Sequence, residues 1–377
     1  MKILIIGSIY SLLMNELIGK LNEGDREIYV LDILHKEFVL FDEDYLPMVE
    51  QKRRLSGKKS LLISRTVLFL SAYLYAIKVI FKNQFDVINI HGTHFFYFPL
   101  SGLLKKRSHK VISSIYGSEF YKAGKMKRWL LSMICKGSTY ITFANELTAN
   151  DFNRYYTSRF TDKIKICRFG LHHLEIISEI QLLENKSDVR RRLALPDDKL
   201  IITCGYGRSR NNQHEAIIQA ILGLDPVIKD KIFLLFPMTY GNDVSQIWMV
   251  KELLAGSGIP YLIHEKFLDD KLACSYVVAS DILINVPVTD QLNGAMQEML
   301  FTGNHVINGE WLPYEILDRK GIDVLKVNKL KEIKDRIKDV FEKKVSIDTG
   351  KNRAIISNLS SWNSTLPSWI ELYKGKM

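Results

Sequence analysis

The chain has 377 residues, 47% of them hydrophobic and 25% charged, with a net charge of +10. That length favours two or three domains over a single core. The composition excludes a disordered or fibrous protein, and the basic balance points to an acidic partner: a nucleotide, a phospholipid or nucleic acid.

In chain order, Lys2–Gly7 reads as a first strand, Tyr10–Leu21 has helical spacing and Glu27–Leu31 returns as a strand. Strand, glycine turn, helix and strand open a doubly wound α/β domain. The G-x-G-x-x-G fingerprint is absent, which disfavours a dinucleotide enzyme. MKILIIGS is too short an apolar run, with no cleavage site, for a signal peptide to be expected.

Residues 51–82 change character. Lys52, Arg53, Arg54, Lys58, Lys59 and Arg65 precede the apolar run Thr66–Ile77, and Lys78 and Lys82 follow it. The run is shorter than the ~20 residues of a spanning helix. It fits either a basic amphipathic helix at an anionic membrane surface or a buried helix of the first domain. From Gln51 to Lys136 there are seventeen Lys/Arg against two acids, Asp86 and Glu119, and that concentration favours the membrane-facing surface.

Phe85–His91, Lys110–Ile115, Tyr140–Phe143 and Lys163–Arg168 read as further strands. They are followed by HGTH, YGSEF, NELT and FG. Chemistry in such folds gathers beyond strand C-termini, so His91, His94, Ser118, Glu119 and Asn145 are candidates for one site by topology. The alternative for His91 is a strand-end histidine satisfied by backbone. Residues 171–198 are polar and read as a crossover between two halves. The second half opens with the strand Leu200–Cys204 and the turn GYGRSRNNQH, before a helix over Glu215–Leu222. A glycine turn carrying Arg208 and Arg210 suits a diphosphate. Strands over Ile232–Phe236 and Ile259–His264 and a helix over Leu272–Ala279 follow.

The next unit, Asp281–Asn308, organises the second half. Ile282 to Val286 form a buried strand that Pro287 ends. Gln291–Phe301 carries a helical apolar stripe, Gly303 stands at the C-cap position, and His305 begins the next strand. Asp290 and Glu298 lie eight residues apart, a little over two helical turns, so both carboxylates can share one face if Asp290 sits at the helix entrance. Asn293, Gly294 and Ala295 offer N–H groups at a helix N-terminus, a site for phosphate. Two ordinary solvated acids on an amphipathic helix are the alternative. The four cysteines, Cys135, Cys167, Cys204 and Cys274, lack C-x-x-C spacing, so a zinc site or disulfide framework is not expected; Cys167 and Cys204 read as core residues.

DQLNGAMQE resembles the E-x-F-G-x-x-x-x-E element of GT-B glycosyltransferases, especially glycosyltransferase family 4, with Asp290 for the first Glu and Asn293 in a usual Gly position. FDVINIHGTH and YGSEF are similar to acceptor-domain elements of the same fold. NNQHEAI and PMTYG resemble segments of the lipid-linked 4-acetamido-4,6-dideoxygalactose transferases of bacterial surface polysaccharide synthesis. The family's G-R turn is followed by Lys where this chain has Gln213, so Arg210 stands as the second cation. The resemblance implies a GT-B architecture: two Rossmann-like doubly wound domains facing across a cleft. It divides the chain into an acceptor domain over 1–180, a nucleotide-sugar domain over 181–350 and a segment 351–377 crossing back, with Trp362 and Trp369 as anchors.

By the same resemblance Glu298 binds the ribose and Asp290 the donor sugar. Gly7, Gly207, Arg208, Arg210, Asn211, Tyr240, Phe267, Gln291, Asn293 and Gly294 join Glu298 in the donor site. His94, Ser118 and Asn145 serve the acceptor, and Asp290, Glu119 and His91 are the catalytic candidates, the last two as general base if configuration inverts. Retention and inversion both stay open. The implied partners are a nucleotide-sugar, a polyprenyl-diphosphate-linked or oligosaccharide acceptor and an anionic membrane, with the enzyme peripheral on the cytoplasmic side. No D-x-D element sits in a metal loop, so neither a metal nor a cofactor is expected. A nucleotide-sugar epimerase of the same fold and a nucleic-acid-binding protein are the rivals. The basic 51–136 stretch argues against the first, and no RNA- or DNA-binding motif supports the second.

Overall fold

In a computed structural model, residues 1–22, 26–55, 65–241, 243–290 and 292–374 are described. The chain forms two compact units, Met1–Gly170 with the segment from Trp362, and Leu171–Ser361.

Among the described residues the first unit holds seven strands: β1 (Lys2–Ile6), β2 (Glu27–Asp32), β3 (Glu37–Leu40), β4 (Phe85–His91), β5 (Ser108–Ile115), β6 (Tyr140–Phe143) and β7 (Ile164–Ile166). Their order is β3-β2-β1-β4-β5-β6-β7, parallel except for β3, which pairs antiparallel with β2. The unbroken apolar run of β1 follows from burial on both faces. Ile3 and Ile5 pack with Met14, Leu17 and Ile18, whereas Leu4 and Ile6 point to the opposite layer with Ala72, Ala76 and Leu100. β3 is not expected from the sequence: a four-residue edge strand with no buried residue carries little periodic signal.

The described residues of the second unit form six parallel strands: β8 (Leu200–Cys204), β9 (Ile232–Pro237), β10 (Tyr261–His264), β11 (Ile282–Asn285), β12 (His305–Gly309) and β13 (Leu325–Val327), in the order β10-β9-β8-β11-β12-β13. Here too alternate residues feed two layers: Ile282 and Ile284 one, Leu283 the other. Strand order reverses between β1 and β4 in one sheet and between β8 and β11 in the other, so the loops after these strands flank the topological switch point where ligands of open α/β sheets bind.

Two stretches differ from expectation. Residues 171–198 are more than a polar crossover: the helices His173–Leu183 and Lys186–Arg192 bury Leu174, Ile177, Ile180 and Val189 in the second unit. The division of the units thus falls at 170/171, ahead of residue 180. At the far end the helix Thr349–Ser360 also belongs to the second unit, and it is from Trp362 that the chain joins the first. In the helix Trp362–Lys374 both tryptophans are buried, with Trp369 Nε1 donating to the Arg168 carbonyl at 2.8 Å. All four cysteines are free and buried.

Candidate active site

In the second unit the loop after β8 is folded by its glycines and held by main-chain bonds. Gly205 has φ +67°, and a Cβ there would lie 2.8 Å from the His214 ring. At Gly207 a Cβ would meet the Tyr240 carbonyl at 3.0 Å, the same carbonyl that accepts from Arg208 N at 2.7 Å. Arg208 Nε donates to the Gly241 carbonyl at 2.7 Å, fixing the guanidinium against the loop after β9. His214 is buried and its pKa is lowered by that burial, so the ring is neutral. Its Nε2 must carry the proton, because its partner at 2.9 Å is the Gly207 carbonyl. Asn211 clamps the loop after β11: its amide reaches the Thr289 carbonyl at 3.0 Å and its Oδ1 accepts from Thr289 N at 3.2 Å.

The second loop leads into the helix Gly294–Thr302, which starts later than the expected Gln291 because Asn293 is its N-cap, accepting from Met296 N at 2.8 Å. Gly303, at φ +92°, closes it as expected. Asp290 is held tightly. Its Oδ2 accepts from Asn293 N at 3.1 Å and from the Tyr314 hydroxyl, and its Oδ1 accepts from the Tyr206 hydroxyl at 3.4 Å. Burial and the neighbouring Asp290 charge raise both tyrosine pKa values, so both remain donors at neutral pH. Asp290 is therefore an oriented acceptor more than a free base. Tyr206 and Tyr314 are not picked out by the sequence: Tyr314 follows Asp290 by 24 residues, beyond any local spacing rule.

Glu298 lines a pocket of about 210 Å³ at the C-terminal ends of β8 to β11. Gly205, Tyr206, Thr239, His264, Phe267, Asp270 and His173 also border it, and Leu235, Val277 and Met299 supply an apolar wall. His264 lies against the Tyr276 ring, with centroids 4.1 Å apart. Of the sequence candidates, Glu298 and Phe267 border this pocket directly. Gly294 and Asn293 form the helix entrance, and Tyr206 links the pocket to Asp290. Arg210 lies elsewhere. It pairs with Asp243 at 3.3 Å and borders a larger groove, about 950 Å³, with Gln219, Lys331 and Lys334. That groove lies along helix flanks and holds neither carboxylate of the acid pair, so the smaller pocket is the better donor candidate. Tyr240 is exposed beside the Arg208 loop, and Gln291 lies outside the described residues.

In the first unit, Gly7 is packed so closely that a Cβ would meet Met14 Sδ at 2.6 Å and His91 Cβ at 3.3 Å. His91 does not present a free base. It is 5% exposed, its Nε2 accepts from Asn89 Nδ2 at 3.0 Å, and its Nδ1 faces the Tyr116 hydroxyl at 2.8 Å. Burial pushes its pKa down to about 3. Its ring stacks on Trp369 at 5.8 Å, and Asn89 also donates to the Tyr373 hydroxyl at 2.6 Å. Both ring nitrogens of His91 are thus engaged by side chains, not by backbone as the alternative reading had it. Asn145 likewise has a local task, capping the helix Glu146–Tyr155 by accepting from Thr148 N at 2.8 Å. His94 stacks on Phe96 at 5.2 Å. Glu119 is 7% exposed and accepts from Tyr116 N at 3.4 Å and Ser118 Oγ at 3.2 Å. One of its oxygens would lie 3.4 Å from a Cβ at Gly92, so Glu119 and the turn after β4 are neighbours.

Among the described residues no group of three or more His, Cys, Asp or Glu side chains is arranged to hold a metal ion, and no helix is long and apolar enough to cross a membrane.

No family model and no curated protein matches the sequence. Solved structures do match over the full length. HepE from Anabaena, crystallised with UDP, is 12% identical with a TM-score of 0.70 and 100% of both chains covered. A glycosyltransferase from Rickettsia africae is 16% identical at a TM-score of 0.74, covering 99% of this chain and 97% of that one. Sucrose-phosphate synthase from Thermosynechococcus elongatus is 12% identical at 0.69, covering 99% and 98%. At such identities the likeness establishes the fold: the chain has the GT-B architecture of two Rossmann-like domains.

Proposed function

We propose that the protein is a glycosyltransferase that moves a sugar from a nucleotide-sugar to a lipid-linked or glycan acceptor in bacterial surface polysaccharide synthesis. The observation that carries this reading is the Glu298 pocket at the switch point of the second sheet, with Asp290 oriented beside it by two tyrosines. Glu298 accepts from the ribose hydroxyls, and Asp290 accepts from a hydroxyl of the sugar. Arg208 and the N-terminus of the helix Gly294–Thr302 stabilise the leaving diphosphate, with no metal in the step. The bond from the sugar C1 to the diphosphate oxygen breaks, with its electron pair going to that oxygen. The acceptor oxygen bonds to C1 and loses its proton; for inversion Glu119 takes that proton. Thermal unfolding with a panel of nucleotides and nucleotide-sugars tests the reading. UDP comes first, because structures of HepE hold UDP and UDP-glucose. The expected result is a shift of several degrees with one nucleotide class, and no shift with any member would contradict it.

The proposal extends to an anionic membrane surface, supported by the helix Arg65–Lys82. Ala72, Ala76 and Ile80 face inward, whereas Leu70, Leu74 and Phe81 are about 60% exposed (62%, 59% and 61%). Arg107 lies over the Phe81 ring at 4.4 Å, and Trp129 and Met126 on the helix Lys125–Gly137 are also exposed. Lys52, in the basic run before this helix, pairs with Glu37 at 2.6 Å; Lys58 and Lys59 lie outside the described residues. Apolar insertion plus on the order of 1 kcal/mol for each nearby Lys or Arg suffices for reversible binding. The double substitution Leu74→Glu with Phe81→Glu should release the protein from anionic liposomes in a sedimentation assay and leave nucleotide affinity unchanged. Equal wild-type binding to neutral and anionic vesicles, or none to either at low salt, would contradict the membrane surface.

A further inference from the structure

The Glu298 pocket contains a charged contact with no part in the transfer step above. His173, the first residue of the helix His173–Leu183, places Nδ1 2.9 Å from Glu298 Oε1 and Nε2 3.4 Å from Asp270 Oδ1. Three helices meet at this ring, because Asp270 opens the helix Asp270–Ala279 and Glu298 lies in Gly294–Thr302. Cys274, one turn on from Asp270, donates to the His173 carbonyl at 3.8 Å. The Glu298 side chain is 12% exposed, and a Cβ at Gly294 would come within 3.5 Å of the same Oε1, so this oxygen sits in a confined place.

We infer that His173 is a positioning residue for the donor: a protonated imidazole held between Asp270 and Glu298 fixes the Glu298 carboxylate through Oε1 and leaves Oε2 to accept from the vicinal hydroxyls of a nucleotide ribose. This rests on the assignment of Glu298 to the ribose made above. An unsupported glutamate side chain samples several rotamers; one pinned by an outer partner meets its ligand without that loss of freedom. Both ring nitrogens face carboxylate oxygens, which only accept, so the doubly protonated ring is the form that satisfies the site. Burial pulls the His173 pKa down, but hydrogen bonds to Cys274 and Glu298 and the Glu298 charge outweigh it and raise the value from 6.5 to about 11. The groups facing the ring are Asp270 and Cys274 from one helix and Glu298 from another. Of its own helix, Glu175 is bonded by His172 at 3.2 Å. The pair's contribution to stability is complete below pH 6.5 and is lost as pH rises toward about 11.

The test titrates UDP calorimetrically into wild-type protein, His173→Gln, Glu298→Ala and the double variant, and records histidine ring ¹⁵N shifts at pH 8. His173→Gln should weaken UDP binding fivefold or more, with no further loss in the Glu298→Ala background. The His173 signal, identified by its loss in His173→Gln, should show an imidazolium in wild type and a neutral ring in Glu298→Ala. A merely structural histidine would share the ring signal but would leave UDP affinity uncoupled to Glu298. Wild-type affinity in His173→Gln alongside weakened Glu298→Ala, or a neutral His173 in wild type, would overturn the inference. Unchanged affinity in Glu298→Ala would instead overturn the ribose assignment. His173→Asn takes the place of His173→Gln if the latter does not fold.

Discussion

Glu119→Gln should lower sugar transfer by roughly 10²–10⁴-fold, the usual contribution of a positioned general base, and leave nucleotide affinity unchanged. The substitution keeps the shape: the amide oxygen can still accept from Tyr116 N, and the amide NH2 can donate to the Ser118 hydroxyl in place of the bond accepted from it, so the turn after β5 should hold. What it removes is the capacity to accept a proton. Glu119 is favoured for that task over His91, whose ring nitrogens are occupied and whose buried imidazole resists protonation down to about pH 3. The readout is transfer of radiolabel from a nucleotide-sugar to lipid-extractable product. Full activity in Glu119→Gln would remove this base from the account and favour retention of configuration at the sugar carbon.

The largest effect on stability is expected from Trp369→Ala. The side chain is fully buried and packs on Phe169 with ring centroids 5.2 Å apart as well as on His91. Truncation leaves a large cavity and strips the Arg168 carbonyl of its indole partner. Tryptophan-to-alanine changes of this kind lose about 3–5 kcal/mol. The helix Trp362–Lys374 belongs to the first unit, and urea denaturation followed by circular dichroism should show the loss as a lower midpoint. A loss under about 1 kcal/mol would mean that the site collapses around the missing ring.

The strands were legible because a doubly covered parallel strand must be apolar along its whole length, as in Ile3 to Ile6 and Ile282 to Ile284. Gly303 was legible for the same kind of reason, since a left-handed C-cap calls for glycine. What escaped the sequence lies in long-range partners. Nothing near Asp290 announces Tyr314, and nothing near Glu298 announces His173, 125 residues earlier. The doublet His172-His173, which follows Gly170-Leu171, is the available signal, and it lies in a stretch that reads as polar crossover. Asn145 shows the converse: its position before Glu-Leu-Thr is that of a helix cap, and the structure gives it that local task. Arg210 had the right charge and neighbourhood, but its side chain turns to Asp243 and the larger groove.

The central claim is that the second unit binds a nucleotide-sugar through Glu298. Titration calorimetry of UDP with wild-type protein and with Glu298→Ala tests it most directly. Removing a charged acceptor from two ribose hydroxyls should weaken binding by roughly 1.5–3 kcal/mol, about tenfold to a hundredfold. Equal affinity in the two proteins, or no binding of any nucleotide to the wild type, would contradict the account.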